Sequence, residues 1–188
     1  MITASYISKE MQELNKEVEA KGLIFLNEMG LDPGIDHLAT MKVIDEVKEQ
    51  NGKIIEYESW CGGLPSPTCC DNPLGYKFTW SPIGAFRALK NRAVYIENGK
   101  IVEIEPKDLL YSNTEVRLNQ ALTLEGYPNR DSVSYRDVYE LNDAKRLLRG
   151  TLRYSGFTEL INAFKEIGFW TEEPMKGENW LEYIKILL

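Results

Sequence analysis

Apolar positions fall in short blocks along this chain, and their spacing changes from one block to the next. Ile2 to Ile7 is a short β-prone run, after which Ser8 stands at an N-cap position ahead of Met11, Leu14 and Val18 at helical spacing. Gly22 closes that helix, Leu23 to Leu26 forms another short strand, and the Gly/Pro-rich loop Asn27 to Gly34 follows. This strand–helix–strand order predicts a βαβ unit. In open parallel sheets ligands sit beyond the carboxyl ends of the strands, so Ser5-Tyr6 and Leu31-Asp32-Pro33 are predicted to share one functional edge. Two strands alone do not sustain a parallel sheet, so residues 1–34 read as the end of a larger sheet and the chain as part of a longer protein.

Asp36 is expected to cap the next helix, where Leu38, Met41, Ile44 and Val47 form an apolar stripe ending at Asn51-Gly52. Lys53 to Trp60 alternates as a strand, and Cys61 to Pro73 is a Gly/Pro-rich loop long enough to be a candidate functional loop. Tyr76 to Trp80 is predicted as a strand, and Ser81-Pro82 as the N-cap and first residue of a helix through Leu89. Asn98-Gly99 between Ala93–Glu97 and Lys100–Glu105 marks a hairpin with a type I′ turn. Residues Tyr111 to Gln120 show no dominant period. Gly126 to Ser132 reads as a turn into a helix over Val133–Leu141. Leu147–Tyr154 should be a strand, Phe157–Phe164 a helix ending near Gly168, and Trp180–Ile184 a last short helix. The sum is an α/β (α+β) fold.

The composition narrows the class. The chain has 188 residues, 43% hydrophobic and 27% charged, which suits a folded domain with a real core. Its formal net charge of -7 argues against a broad nucleic-acid footprint, so an anionic ligand must be held by local groups. No apolar run approaches the roughly 20 residues of a membrane span, and the first residues lack a secretory pattern. Cys61, Cys69 and Cys70 form no disulfide framework or zinc spacing, so a reducing compartment is the default and no metal is expected.

Four loops concentrate reactive groups: Leu31–Gly34, Cys61–Pro65, Tyr127–Ser132 and Arg149–Tyr154. Each group also has a purely structural reading. Asp32 before Pro33 can shape a turn. His37, the only histidine, is more often structural than catalytic near a helix start. Cys61 at a strand end can be a small buried residue. Arg130 and Arg153 would ordinarily be surface or ion-paired residues, yet two planar guanidinium forks on adjacent loops suit a dicarboxylate. The residues by themselves therefore reach as far as an acidic domain with a carboxylate site.

Taken in order, TASYIS, NEMGLDPGIDH, WCGGLPSP, DNPLGYKFTWSP, GYPNRDS and RGTLRYSGF resemble the L-glutamate-forming saccharopine dehydrogenase family, which also occurs as the C-terminal half of bifunctional α-aminoadipic semialdehyde synthase. The resemblance covers nearly all of residues 1–170. It implies that residues 1–34 are late strands of a dinucleotide-binding Rossmann domain, lacking its glycine-rich phosphate loop. Residues 35–188 would be a mixed-sheet substrate-binding and dimerisation domain, similar to the C-terminal domain of glyceraldehyde-3-phosphate dehydrogenase-like enzymes. The implied chemistry is hydride transfer between NADP or NAD and the carbon–nitrogen bond of saccharopine, with the isolated chain inactive and the parent a cytoplasmic or mitochondrial homodimer. Neither nucleic acid nor membrane is an implied partner.

Carried over by motif, Ser5, Tyr6, Asp32, Arg130, Thr151, Leu152 and Arg153 are implied substrate contacts. Ala4, Ser5, Leu31, Asp32, Pro33 and Ser81 are implied cofactor contacts. Asp32, Cys61 and Tyr6 are the implied proton-handling groups, with His37 in support. Trp60 stands where the family more often has Tyr, and Thr68-Cys69-Cys70 fills the following loop. Two rival readings stay open: a related imine-reducing enzyme of polyamines, such as homospermidine synthase or carboxynorspermidine dehydrogenase, and a non-catalytic dimerisation module.

Overall fold

The computed structural model describes residues 1–170, 174, 177 and 179–187. In chain order its elements are α1 (Lys9–Glu13), α2 (Asn15–Ala20), α3 (Ile35–Glu49), β1 (Glu56–Cys61), α4 (Pro82–Ala88), β2 (Ala93–Glu97), β3 (Lys100–Ile104), β4 (Thr114–Arg117), β5 (Thr123–Pro128), α5 (Tyr135–Val138), β6 (Arg146–Arg153), α6 (Phe157–Glu166) and α7 (Trp180–Leu187). Short 3₁₀ turns occupy Pro67–Cys69 and Leu109–Ser112.

Strand β6 is the axis of a mixed six-stranded sheet. On one side β1 runs parallel to it, from Glu56 opposite Arg146 to Cys61 opposite Thr151. Its other side is shared. Antiparallel β5 covers the carboxyl end, from Glu125 opposite Arg153 to Pro128 opposite Gly150, and β2 meets the amino end at Ile96 opposite Leu147. The hairpin partners β3 and β4 complete the two wings. The sheet is thus forked between residues 147 and 150 of β6, and the fork is where the charged groups gather.

Alternation along β6 divides its residues. Leu147 joins Ile44, Ile96, Tyr139, Leu141 and Ala144 in one buried cluster beneath α3. Tyr127, opposite Thr151, joins Tyr76, Leu89, Leu109, Leu110, Phe157 and Ile161 in another, beside α4 and α6. On the opposite face the Trp60 indole lies across Gly150 and Gly126. A Cβ at Gly150 would overlap its ring, and one at Gly126 would come within 2.5 Å of it. Both glycines are therefore required by close approach rather than by backbone angle. Beside the indole, Arg146 pairs with Glu58 and Glu97, and the Trp60 Nε1–H donates to Glu58 at 3.0 Å.

Several expectations need correction. The two front strands reduce to one parallel bridge, Ile2 to Leu26, because residues 1–34 have no third strand here to extend a ladder. The single helix after Ser8 breaks at Leu14 into α1 and α2, although Ser8 does cap, accepting the Met11 N–H. Asp36 is not the N-cap of α3. Gly34 is, with φ at 146°, and Asp36 in the first turn accepts the Gly34 N–H at 2.7 Å. Residues 76–80 form no strand, since the side chains of Tyr76 and Phe78 pack on each other and on Phe157 and Phe86 while the Tyr76 backbone is bonded by the Asn72 side chain rather than by a neighbouring strand. Gly126–Pro128 belongs to β5 rather than to the following turn, and the helix expected over Val133–Leu141 is one turn, Tyr135–Val138. Leu147–Arg153, the hairpin, α6 and the helix at Trp180 form as expected.

Because the indole fills the space over Gly150, Gly150→Ala should destabilise the chain by about 1–3 kcal/mol in urea unfolding, the usual range for overpacking. In a Trp60→Ala background the same change should cost under about 1 kcal/mol, the two residues being in contact. Equal costs in both backgrounds would show that the indole is not the obstacle.

Candidate functional site

The site is assembled from three segments that meet at the fork. Asp32 comes from the loop ahead of α3, Asp36 from the first turn of α3, and Arg149 from the middle of β6. The Arg149 Nη2 group donates to Asp32 Oδ1 at 3.0 Å and to Asp36 Oδ2 at 2.6 Å. The Tyr6 hydroxyl donates to the same Asp32 oxygen at 2.7 Å. The Arg149 and Asp36 side chains are only 11% and 12% exposed, so these charges interact in a largely dry setting. The guanidinium also stacks 4.3 Å from the Tyr135 ring centre, which adds a cation–π contact.

These neighbours shift the titrating groups in readable directions. Burial opposes the Arg149 cation, but Tyr135, Tyr6 and Asp32 together hold its pKa above the usual arginine range. Burial and the bond to Asp32 raise the Tyr6 phenol far above its ordinary value, so Tyr6 is a hydrogen-bond donor at neutral pH. Cys61, on β1 opposite Thr151, is pushed up to about 11 by burial and by the nearby Asp32 carboxylate. It is a neutral thiol, not a thiolate.

A second layer holds these groups. His37 Nδ1 lies 2.6 Å from the Tyr139 hydroxyl, its Nε2 is 3.5 Å from Glu28, and its ring stacks on Tyr135. His37 thus ties the front segment to α3 and α5 and has no direct bond to Asp32. Arg130, with φ at 54°, sets its guanidinium 5.5 Å from the Tyr6 ring centre.

Arg153 occupies a different environment from Arg149. It is 9% exposed, lies 4.8 Å from the Tyr76 ring centre and 5.2 Å from that of Phe157, and donates to the Leu152 carbonyl. Among the described residues no carboxylate stands within ion-pair distance of it, and its Nε has no partner. Its cross-strand neighbour Glu125 is already engaged, accepting the N–H groups of Gly156 at 3.2 Å and Thr158 at 2.6 Å where α6 begins. Thr151 and Leu152 lie between Arg149 and Arg153 on β6.

The structure thus gathers Tyr6, Asp32, Cys61 and Arg130 around Arg149 and carries Arg153 two residues beyond Thr151. Ala4, Ser5 and Leu31 are exposed on the front segment, whereas Pro33 is buried. Ser81 caps α4, its Oγ accepting the Gly84 N–H at 3.1 Å. Arg149 and Asp36 are the two members missing from the sequence-derived set. Alternation alone would have placed Arg149 on the same face as Thr151 and Arg153. Asp36 was concealed by its resemblance to an ordinary cap.

The class these features define is a mixed-sheet α/β domain whose fork holds one arginine between two aspartates, with a second buried arginine for which no described residue supplies a counter-charge. Residues 30–187 match the model of the saccharopine dehydrogenase C-terminal domain, and the chain belongs to that family. It is 43% identical to the saccharopine dehydrogenase [NADP(+), L-glutamate-forming] of Saccharomyces cerevisiae, over 98% of this chain and 42% of that protein. It is 47% identical to the mitochondrial alpha-aminoadipic semialdehyde synthase of Bos taurus, over 89% of this chain and 18% of that one. The solved structure of apo saccharopine dehydrogenase (L-Glu forming) from Saccharomyces cerevisiae superposes with a TM-score of 0.90 at 42% identity, covering 99% of this chain and 43% of that one. The chain therefore spans less than half the length of these relatives. Among its described residues no helix is long and apolar enough to cross a membrane, and no group of three His, Cys, Asp or Glu side chains could hold a metal ion.

The raised Cys61 value gives a direct test. Alkylation of Cys61 by iodoacetamide, followed by peptide mass spectrometry, should rise with pH to a midpoint near 11, set by burial and Asp32. Asp32→Asn should lower that midpoint. A native midpoint at or below the ordinary thiol value of about 8.5 would mean that neither effect operates.

Proposed function

We propose that this chain is the substrate-binding part of an oxidoreductase of lysine metabolism that interconverts saccharopine with glutamate and 2-aminoadipate 6-semialdehyde. Residues 1–34 are read as the last strands of a dinucleotide-binding domain and residues 35–188 as the substrate and dimerisation domain, of the kind found in glyceraldehyde-3-phosphate dehydrogenase-like enzymes. The observation that carries the reading is Arg153. A buried guanidinium without a carboxylate partner is costly unless a ligand supplies the counter-charge, and saccharopine brings several carboxylates. Uncompensated cations also disfavour polyamine substrates, which would be repelled.

In this reading Arg153 and Arg130 hold substrate carboxylates, with Thr151 and Leu152 lining the same strand. Asp32, held by Arg149, faces the substrate amine. Tyr6 orients Asp32 by donating to Oδ1, and Ser5 lies beside it on the front segment. Cys61 retains its proton and acts as a polar neighbour rather than a base. Oxidation removes a hydride from the carbon bonded to the secondary amine. Water then adds to the resulting imine and splits it into amine and aldehyde.

NADP, the cofactor in the relatives' names, fits one end of this arrangement. Ala4 and Ser5, with small side chains, and the apolar Leu31, 67% exposed, offer an exposed edge suited to a flat ring. When bound, the nicotinamide supplies the hydride acceptor. Pro33, buried and accepting the Gly30 N–H at 3.0 Å, shapes the loop behind Leu31, and Ser81 contributes through the start of α4. A second copy would give α7 an apolar partner, since Trp180, Leu181 and Ile186 are exposed on it.

Calorimetric titration with saccharopine tests the assignment. Arg130→Ala and Arg153→Ala should each weaken binding by about 10- to 100-fold, the range for hydrogen bonds to charged groups. Unchanged affinity in both variants, with folding verified by circular dichroism, would sink the carboxylate reading.

A further inference from the structure

On the side of β6 shared by β5 and β2, Arg149 lies between Pro128, the last β5 residue paired to β6, and Ile96, the β2 residue that meets it, and has no ladder partner there, although Ser59 of β1 is its partner on the other side. The Asn129 N–H still donates to the Arg149 carbonyl at 2.9 Å, but the chain then turns away through Arg130. No backbone acceptor faces the Arg149 N–H. Ser132 fills that position. Its Oγ accepts the Arg149 N–H at 2.9 Å and reaches back to the Arg149 carbonyl at 3.5 Å. Its own N–H donates to the Val94 carbonyl at 2.7 Å, while the Val94 N–H donates to the Arg130 carbonyl at 2.8 Å. Ser132 is 1% exposed, so water cannot take its place readily.

We propose that Ser132 is a positioning residue: its hydroxyl stands in for the missing strand at the fork and fixes the Arg149 backbone, and with it the guanidinium that holds Asp32 and Asp36. The same short segment sets Arg130 through backbone bonds to Val94, so one buried serine couples two arginines of the site, Arg149 through its hydroxyl and Arg130 through its backbone. A hydroxyl is required for this task because it accepts from an N–H within one small side chain. Alanine fills much of the space but accepts nothing, and a thiol is larger and a weak acceptor. The inference deepens the proposed function, since it rests on Asp32 being the group presented to the substrate.

The Arg149 Nε–H offers a readout that does not depend on turnover. It is buried without a hydrogen-bond partner, and its guanidinium lies against the Tyr135 ring, so its ¹⁵N–¹H signal should be displaced by the ring and slow to exchange with solvent. Arg149→Lys assigns the signal by deleting it. In S132A the signal should lose its displacement and exchange at least tenfold faster, while the backbone amide spectrum away from the fork is retained. S132T, which keeps the hydroxyl, should preserve it. Should S132A fail to fold, S132C and S132T decide: a signal kept in S132T and lost in S132C supports the inference, and the same signal in both overturns it. An unaltered Arg149 signal in folded S132A also overturns it. Saccharopine titration separates the two readings. A tenfold or greater loss of affinity in S132A supports both. A displaced signal with no saccharopine binding even by the unsubstituted chain keeps the positioning role and removes the proposed substrate.

Discussion

The organisation of this domain depends on Arg149 being charged, nearly buried and shared between two carboxylates. Removing such a cation from water carries a penalty of several kcal/mol, and only tight geometry with additional hydrogen bonds offsets it. Arg149 has both, with Asp32 and Asp36 at bonding distance and a tyrosine ring against its face. The three charged residues come from a loop, a helix start and a strand that are 117 and 113 residues apart in sequence. Loss of one partner would leave another charge buried and uncompensated, a change worth roughly 3–5 kcal/mol in comparable sites. The ion cluster consequently fixes the front segment against the sheet, which the bridge between Ile2 and Leu26, internal to that segment, does not do.

Charge at this edge of the sheet is divided between groups already engaged and groups left over. Glu125 illustrates the first kind. It is adjacent to Arg153 across the strands, where a simple ion pair would be the obvious outcome, yet both its oxygens serve the N–H groups at the start of α6. That arrangement satisfies donors that a helix start otherwise leaves orphaned. It also leaves Arg153 without a counter-ion among the described residues, held in place by aromatic faces that orient it without neutralising it. Arg149 is the opposite case, its charge matched by Asp32 and Asp36 through Nη2. The two arginines of one strand thus have different electrostatic states, and their separation follows from which carboxylates the fold has already used.

Much of the scaffold is legible in the chain itself. The Asn-Gly hairpin, the apolar stripe of α3, the alternation in β6 and the helix at Phe157 are local patterns, and they form because local preference and burial agree. Residues 76–80 are misread because an aromatic run suits a strand face as well as an irregular segment packed by its rings. Gly126 is misread because glycine usually signals a turn, whereas here it makes room for an indole from β1, more than 60 positions earlier in the chain. The loops that carry Tyr6, Asp32, Cys61 and Arg130 can be picked out from residue type and motif. Arg149 as the hub cannot, since only the fork, a long-range property of strand pairing, brings Asp32 and Asp36 to the same guanidinium.

The protons at the site follow from the same electrostatics and bear on how the proposed reaction would be assisted. Tyr6 and Cys61 both retain their protons at neutral pH, because each is partly buried beside a carboxylate that disfavours a second negative charge. The Asp32 carboxylate is ion-paired to Arg149 and bonded by the Tyr6 hydroxyl, which fixes its position beside the proposed substrate amine. Loss of a hydride from carbon leaves positive charge spreading onto the adjacent nitrogen. A fixed carboxylate in a poorly hydrated setting stabilises that charge as it develops, with little reorganisation. On the proposed reading Asp32 therefore contributes chiefly through its charge and its fixed position. Arg149 and neutral Tyr6 hold that carboxylate in place, and neutral Cys61 adds no competing negative charge beside it.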